Sequence, residues 1–269
     1  MPNFTAKDVN ALRQRTSMGM MECKKALTDA DGDVDEAIRL LRERAGGKMA
    51  DRGDREAAEG AVGVAVGDGA AAIVVVTAET DFAARNEDFT KTVDTIAQQA
   101  LTLSGTGDIT GSATDDMSGK VEDLRLTIKE NINLKLIYRL EAPKLGSYLH
   151  TDRKSGAIVA GEGELGDDLL KGLAMHVTAN QPEAKAVDAD SLPVEDVDAA
   201  RKQFTDEAAA TGKPQNIAEK IAEGKMKKWS DEITLTGQVY IRELDAKKAI
   251  REYLPGDAKI TGFVRAAVG

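Results

Sequence analysis

The residues of this chain best suited to covalent chemistry are few and far apart. There are two histidines, His150 and His176, and one cysteine, Cys23. A general base, an activated thiolate or a zinc site needs several such groups converging on one point. No ligand-type spacing links these three. His150 is expected to end a short strand. His176 lies in Ala174-Met175-His176-Val177, a helical run in which a satisfied structural histidine is the simpler reading. No Gly-x-x-x-x-Gly-Lys-Ser/Thr occurs, and no Gly-x-Gly-x-x-Gly is expected to join a strand to a helix. The run Gly161-Glu162-Gly163-Glu164-Leu165-Gly166 contains a Gly-x-Gly but sets acidic residues where an anion would sit. The sequence therefore argues against side-chain catalysis on a small substrate. No catalytic residue, cofactor or metal is assigned.

Elimination moves attention to Thr80-Asp81-Phe82. The apolar run through Val74-Val75-Val76 stops there, and a helical pattern begins at Asn86. The chain has five Phe in all, so one placed at a charged turn calls for a reason. In one reading Thr80 or Asp81 caps a helix and Phe82 folds back onto the core. In the other, Phe82 stands at the tip of a rigid strand-turn-helix corner and wedges into a partner, with an acidic side chain beside it. Burying a Phe on a partner contributes on the order of 2 kcal/mol. Spacing alone favours the first reading.

Composition makes a protein the default partner. Asp plus Glu is 46 against 36 Lys plus Arg, a net charge of −10. That total supplies no positive footprint for tracking phosphates, so direct nucleic-acid binding is not expected. Aromatics are 4%. Cores must then be built from Ala, Val, Ile and Leu, which suits thin modules. A single cysteine rules out an intrachain disulfide framework and fits a reducing cytosol. Met1-Pro2-Asn3-Phe4-Thr5 lacks a basic-then-apolar signal pattern. No run approaches the roughly 18 apolar residues of a membrane span. A cytoplasmic protein with no membrane contact is expected.

The elements that must position these residues follow from periodicity. Thr5 and Asp8 predict a capped first helix with Val9 and Leu12 inward. Ser17 to Leu27 carries Met20, Cys23 and Leu27 at helical spacing, beside Met21, Lys24 and Lys25. At least one Met exposed for a partner is as good a reading as Met in the core. Asp33 and Glu36 predict a third helix with Val34, Ile38 and Leu41 inward, stopped by Gly46-Gly47. This three-helix domain spans 1–47, and a charged linker spans 48–59. At Gly60 the period changes. Ala61 to Val66 and Ala71 to Thr77 form a hairpin around Gly67-Asp68-Gly69. Asn86 to Leu103 is a helix, Ser104 to Gly119 a loop, Val121 to Ile132 a helix, and Leu134 to Leu140 a strand. These make the first half of a core, 60–141. The order strand, strand, helix recurs in Ser147 to His150, Ala157 to Ala160 and a helix capped by Asp167, and Asp257 to Val268 echoes the returning strand. The second half is 142–180 with 230–269. Between its parts, 181–229 reads as two antiparallel helices broken at Thr211-Gly212-Lys213-Pro214. The fold class is α+β, with two related halves and an inserted helical hairpin.

Several segments, in order along the chain, resemble one family. Thr80-Asp81-Phe82-Ala83-Ala84-Arg85-Asn86 is similar to the Thr-Asp-Phe-Val-Ala-Arg-Asn motif of the elongation factor Ts family. Met18-Gly19-Met20-Met21-Glu22-Cys23-Lys24-Lys25-Ala26-Leu27 resembles its N-terminal signature. Gly212-Lys213-Pro214, Ile217-Ala218-Glu219-Lys220, Glu223-Gly224-Lys225-Met226-Lys227-Lys228 and Leu235-Thr236-Gly237-Gln238 resemble later ones. The three-helix unit also resembles ubiquitin-associated domains.

The resemblance implies a guanine nucleotide exchange factor that binds elongation factor Tu and speeds GDP release, without covalent chemistry of its own. It implies that Thr80, Asp81 and Phe82 bind the partner, Phe82 inserting between helices of the GTPase domain while Asp81 disturbs the Mg²⁺ environment. It also implies that Arg13, Met20 and Met21 touch the GTPase domain and that His150 meets the partner from the second half. Oligomeric state stays open, a homodimer or a two-plus-two complex included. Some positions depart from the family pattern: Thr77-Ala78 for Asn-Cys, Ala83 for Val, and Lys129 where Gly is common. The chain ends at Val268-Gly269, so contacts made by an extra C-terminal segment in some members are expected to be lost. Two other classes remain: a non-exchanging adaptor acting through residues 1–47, and a small-molecule enzyme using His150 or Cys23.

Overall fold

Strand β2 (Ala70–Ala78) is buried along its whole length. Its side chains alternate between two cores, as a strand's must. Ala72, Val74, Val76 and Ala78 join Phe89, Val93 and Ile96 in one cluster. Ala71, Ile73 and Val75 join Ile158 and Ala266 in another. A strand buried on both faces reads as an unbroken apolar run, and Ala-Ala-Ile-Val-Val-Val is such a run. The computed structural model describes residues 3–16, 18–50 and 55–269, so residues 51–54 of the expected linker lie outside the described residues.

β2 lies between β1 (Glu59–Val66) and β4 (Asn133–Glu141), and a short β3 (Gly107–Asp108) adds to the far side of β4. A second sheet has the order β5 (Lys144–Leu149), β6 (Ser155–Glu162), β7 (Lys259–Ala267). All pairings are antiparallel. The sheets face each other through Val62, Ile73, Ile158 and Ala266. Helices α5 (Glu87–Ala100) and α6 (Asp115–Ile128) cover the outer face of the first sheet, and α7 (Asp167–Ala179) covers that of the second. The result is four layers, helix–sheet–sheet–helix.

The two halves repeat in detail. Gly63 on β1 pairs with Val74 on β2, and Gly146 on β5 pairs with Val159 on β6. A Cβ on Gly63 would lie 2.8 Å from the Val93 side chain of α5, and one on Gly146 would lie 2.6 Å from Leu170 of α7. Each glycine lets its helix sit against the sheet. The register of β2 with β4 shifts between Val75 and Val76; that of β6 with β7 shifts between Ala160 and Gly161, the same number of residues past the paired valine.

Three helices, α1 (Ala6–Thr16), α2 (Met20–Asp29) and α3 (Val34–Ala50), precede the sheets. Their core is Val9, Leu12, Cys23, Ala26, Leu27, Ile38 and Leu41, closed by Leu126 from α6. Three expectations are corrected. Val34, expected inward on α3, sits at the surface, while on α2, where the methionines were left open, Cys23, Ala26 and Leu27 face inward and Met20 and Met21 are exposed. α3 runs through Gly46-Gly47 to Ala50, because glycine in a helix costs about 1 kcal/mol without ending it. α6 starts at Asp115 rather than near Val121, since Thr114 accepts the Met117 N–H at 3.3 Å and Met117 is buried.

The insertion is a hairpin of α8 (Val194–Ala209) and α9 (Gln215–Ile233). Only Ala200 and Ala208 of α8, and none of α9, are buried. Its base is tied to the second half by backbone bonds from Lys185 to Ile233 and from Leu235 to Ala186. Among the described residues no helix is long and apolar enough to cross a membrane.

Candidate functional site

Thr80 ends the strand run and caps a single helical turn, α4 (Asp81–Ala84). A four-residue helix has no stability of its own, so its position must come from its anchors. Ala83 and Ala84 are buried, with Ala83 in the outer core of the first sheet. The Ala83 N–H donates to Thr80 Oγ1 at 3.2 Å. Asn86 then caps α5, its Oδ1 accepting from Asp88 at 2.8 Å and Phe89 at 3.4 Å. Phe89, seven residues after Phe82 by sequence number, is fully buried.

The corner is also held by the α6–β4 turn, which leads into the strand paired with β2. Glu130 takes both donors of Thr80: the N–H at 3.0 Å on Oε2 and the hydroxyl at 2.6 Å on Oε1. In return Glu79 accepts the Asn131 N–H at 2.7 Å and meets Arg55 at 3.2 Å. The Asn131 amide donates to the Arg55 carbonyl at 2.7 Å. Lys129, just before, has φ 65 and ψ 35, the left-handed conformation that ends α6. A glycine would take this conformation without the steric cost of a Cβ.

On this fixed turn Phe82 points out, 84% exposed. Of the two sequence readings, folding onto the core is overturned: Ala83 and Ala84 take the inward positions. Asp81 pairs with Arg85 at 3.3 Å, one helical turn on. The Asp81 side chain is partly exposed and Arg85 more so, so the pair is weak and easily exchanged for another partner.

The other predicted residues lie on different elements. Met20 and Met21 are 51% and 73% exposed on α2, and Arg13 is exposed on α1. The three-helix unit that carries them bears on α6 through Leu126 and through the pair of Arg42, on α3, with Asp123 at 2.8 Å. α6 thus contacts the N-terminal helices and leads directly into the turn that holds Thr80. His150 follows directly on the last residue of β5, one position past the expected strand end, and is exposed, with Nδ1 2.9 Å from Asp152. It sits on the β5–β6 turn, where the Arg153 carbonyl accepts the Val62 N–H at 2.7 Å from β1.

The residues considered for small-molecule chemistry are placed otherwise. Cys23 is buried in the N-terminal core. His176 is fully buried; its Nδ1 accepts from the Ile241 N–H at 3.3 Å, so Nε2 donates to Gln238 Oε1 at 2.8 Å. The Gln238 amide in turn donates to the carbonyls of Pro182 at 2.7 Å and Glu232 at 2.8 Å, closing the base of the hairpin. Burial pushes the His176 pKa down, partly offset by the Gln238 bond. The run Gly161 to Gly166 corrects one expectation: it spells a complete Gly-x-Gly-x-x-Gly and does lie between β6 and α7. The space is filled, however. Leu165 is buried, and Gly163, at φ 81, packs against Ala258. Among the described residues no group of three or more His, Cys, Asp or Glu is placed to hold a metal.

Sequence reasoning found the corner and missed its clamp. Glu130 lies 50 positions from Thr80, and no local pattern joins a carboxylate to a donor across that separation. The one available signal was Lys129, flagged as a glycine position beside it.

The fold and this corner define an α+β protein of two related halves, fronted by three helices and carrying a helical hairpin in its second half. Residues 79–269 match the family model described as "Elongation factor TS". Proteins called "Elongation factor Ts" align over the whole chain. The one from Vibrio campbellii is 40% identical, with 100% of this chain and 92% of the relative covered. Those from Actinobacillus pleuropneumoniae and Histophilus somni are 39% and 38% identical with the same coverage. The chain belongs to the elongation factor Ts family, and so to the translation elongation factors of protein biosynthesis.

Proposed function

We propose that this protein is the guanine nucleotide exchange factor of elongation factor Tu, promoting GDP release so that GTP can rebind. The observation that carries the reading is Phe82, a large apolar side chain 84% exposed on a turn anchored on every side. Exposing a phenyl ring on a rigid support stores binding free energy for a partner. Its burial is worth about 2 kcal/mol, roughly 30-fold in an equilibrium constant.

Exchange follows from differential binding. A factor that binds the nucleotide-free GTPase more tightly than the GDP form weakens GDP by the same ratio. In this reading Phe82 pries between helices of the GTPase domain. Asp81, released from Arg85, acts on the surroundings of the Mg²⁺, an ion that leans on phosphate oxygens and few protein ligands. Arg13, Met20 and Met21 give a second contact on the GTPase domain, and His150 a third from the other half. The exposed methionines suit this, being adaptable apolar contacts. The protein performs no covalent step; the cytoplasm is where it would act. The test is the rate at which labelled GDP leaves elongation factor Tu with and without micromolar protein. Acceleration is expected, and an unchanged rate refutes the reading.

A further inference from the structure

We propose that Glu130 is a positioning residue for exchange, setting where Phe82 is held against the partner. The inference rests on the exchange-factor reading and adds to it a residue whose assigned role runs through its bonds to Thr80.

The geometry assigns the role. Thr80 has two donors, its N–H and its hydroxyl, and the hydroxyl oxygen can also accept. Glu130 accepts both donors, at 3.0 and 2.6 Å. With its proton committed to Glu130, the Thr80 hydroxyl must turn a lone pair to the Ala83 N–H, 3.2 Å away. That bond caps the turn carrying Phe82. The chain Ala83 N–H to Thr80 hydroxyl to Glu130 carboxylate polarises each link, and its charged end makes the outer bonds strong. A hydroxyl free to rotate would cap the turn only part of the time.

The clamp is reciprocal. Glu79, the neighbour of Thr80, accepts the Asn131 N–H at 2.7 Å, while Glu130, the neighbour of Asn131, accepts the Thr80 N–H. Two carboxylates therefore lock the β2–α4 corner to the α6–β4 turn. The same α6 carries Leu126 in the core of the N-terminal helices. Glu130 thus fixes the Phe82 corner to the element that packs against the three-helix unit carrying Met20 and Met21. The spacing between the two contacts is set through α6.

The experiment measures GDP release from elongation factor Tu against factor concentration, yielding a maximal rate and a half-saturating concentration. It compares the wild type, Glu130→Gln, Phe82→Ala and the double variant. Gln keeps the shape but accepts only one Thr80 donor and turns an N–H against the other. A loss of about tenfold in maximal rate is expected, as for one charged hydrogen bond, with the half-saturating concentration within about twofold. The double variant should be no slower than Phe82→Ala, because both changes act through the same ring. Thr80→Val, which keeps shape and loses the hydroxyl, serves as a second probe and should also lower the maximal rate. Should Glu130→Gln fail to fold, Thr80→Val decides alone. A wild-type rate for the folded variant beside a slow Phe82→Ala overturns the inference and leaves the exchange reading standing, as does a double variant slowed by both factors multiplied. No acceleration by the wild type overturns both.

Discussion

Thr80 and Glu130, 50 positions apart, are joined by two hydrogen bonds of 2.6 and 3.0 Å. Between them they settle what sequence spacing left open. The turn is capped from one end, clamped from the other and floored by Ala83 and Ala84. Phe82 is the residue left with nowhere to pack, and its exposure is a consequence of how firmly its neighbours are held.

Asp81 and Phe82 are expected to act separately. Asp81→Asn removes the charge that pairs with Arg85 at 3.3 Å. An exposed pair of this kind contributes about 0.5 kcal/mol or less to folding, so the melting temperature should stay within about 2 °C. GDP release should slow in the presence of Mg²⁺, and the deficit should shrink when Mg²⁺ is chelated. The deficit of Phe82→Ala should persist under chelation. Equal behaviour of the two variants with chelator would contradict separate roles.

Gly172 on α7 faces the phenol of Tyr240 and the guanidinium of Arg242, which a Cβ would strike. Alanine gains up to about 1 kcal/mol in helix propensity and loses more to overpacking against a rigid ring. Gly172→Ala should therefore destabilise by about 1–3 kcal/mol, seen as a lower urea midpoint. Combining it with Tyr240→Phe should recover part of the loss, since the hydroxyl is the atom struck.

His176 sets a pH dependence. Burial holds its folded-state pKa below the ordinary value near 6.5. The unfolded chain then binds the proton first. Stability is complete above about pH 6.5 and falls as pH drops toward the folded-state pKa, by up to about 1.4 kcal/mol per unit. Protonation would also cost the bond from Ile241. Urea unfolding at stepwise lower pH should show this slope, and His176→Gln should flatten it. A slope unchanged in the variant would assign it elsewhere.

Much of the fold was legible because periodicity reports burial directly. β2 reads as a strand because it faces two cores, and α5 as a helix because Phe89, Val93, Ile96, Ala97 and Ala100 share one face. The repeat was legible in element order but not in side chains. What the halves share is a glycine under a helix and a bulge, Gly63 with Val75/Val76 and Gly146 with Ala160/Gly161. Such features constrain backbone approach and leave neighbouring residue types free to differ. At the site, Thr80, Asp81 and Phe82 were visible as a break in pattern, while their orientation was not. It depends on Glu130 and Glu79, whose contacts cross between segments. Spacing left the side of Met20 open because Met20, Cys23 and Leu27 fit a helical stripe as well as Cys23, Ala26 and Leu27 do.

Lys129 carries a cost in backbone conformation. Its φ of 65 is unfavourable for a residue with a Cβ, by about 1 kcal/mol. Lys129→Gly should raise stability by about that much, less whatever the contact made by Lys129 contributes. Thermal melting would show a rise of about 2–4 °C. A fall would mean that the side-chain contact outweighs the backbone cost.

The central claim is that an exposed Phe82 on a clamped corner drives nucleotide release. Its most direct test is the rate of labelled GDP loss from elongation factor Tu with wild-type protein and with Phe82→Ala, both shown folded by matching melting curves. The account predicts strong acceleration by the wild type and a fall of at least about tenfold in the variant, the share expected from losing one buried ring. Equal acceleration by both proteins would contradict it.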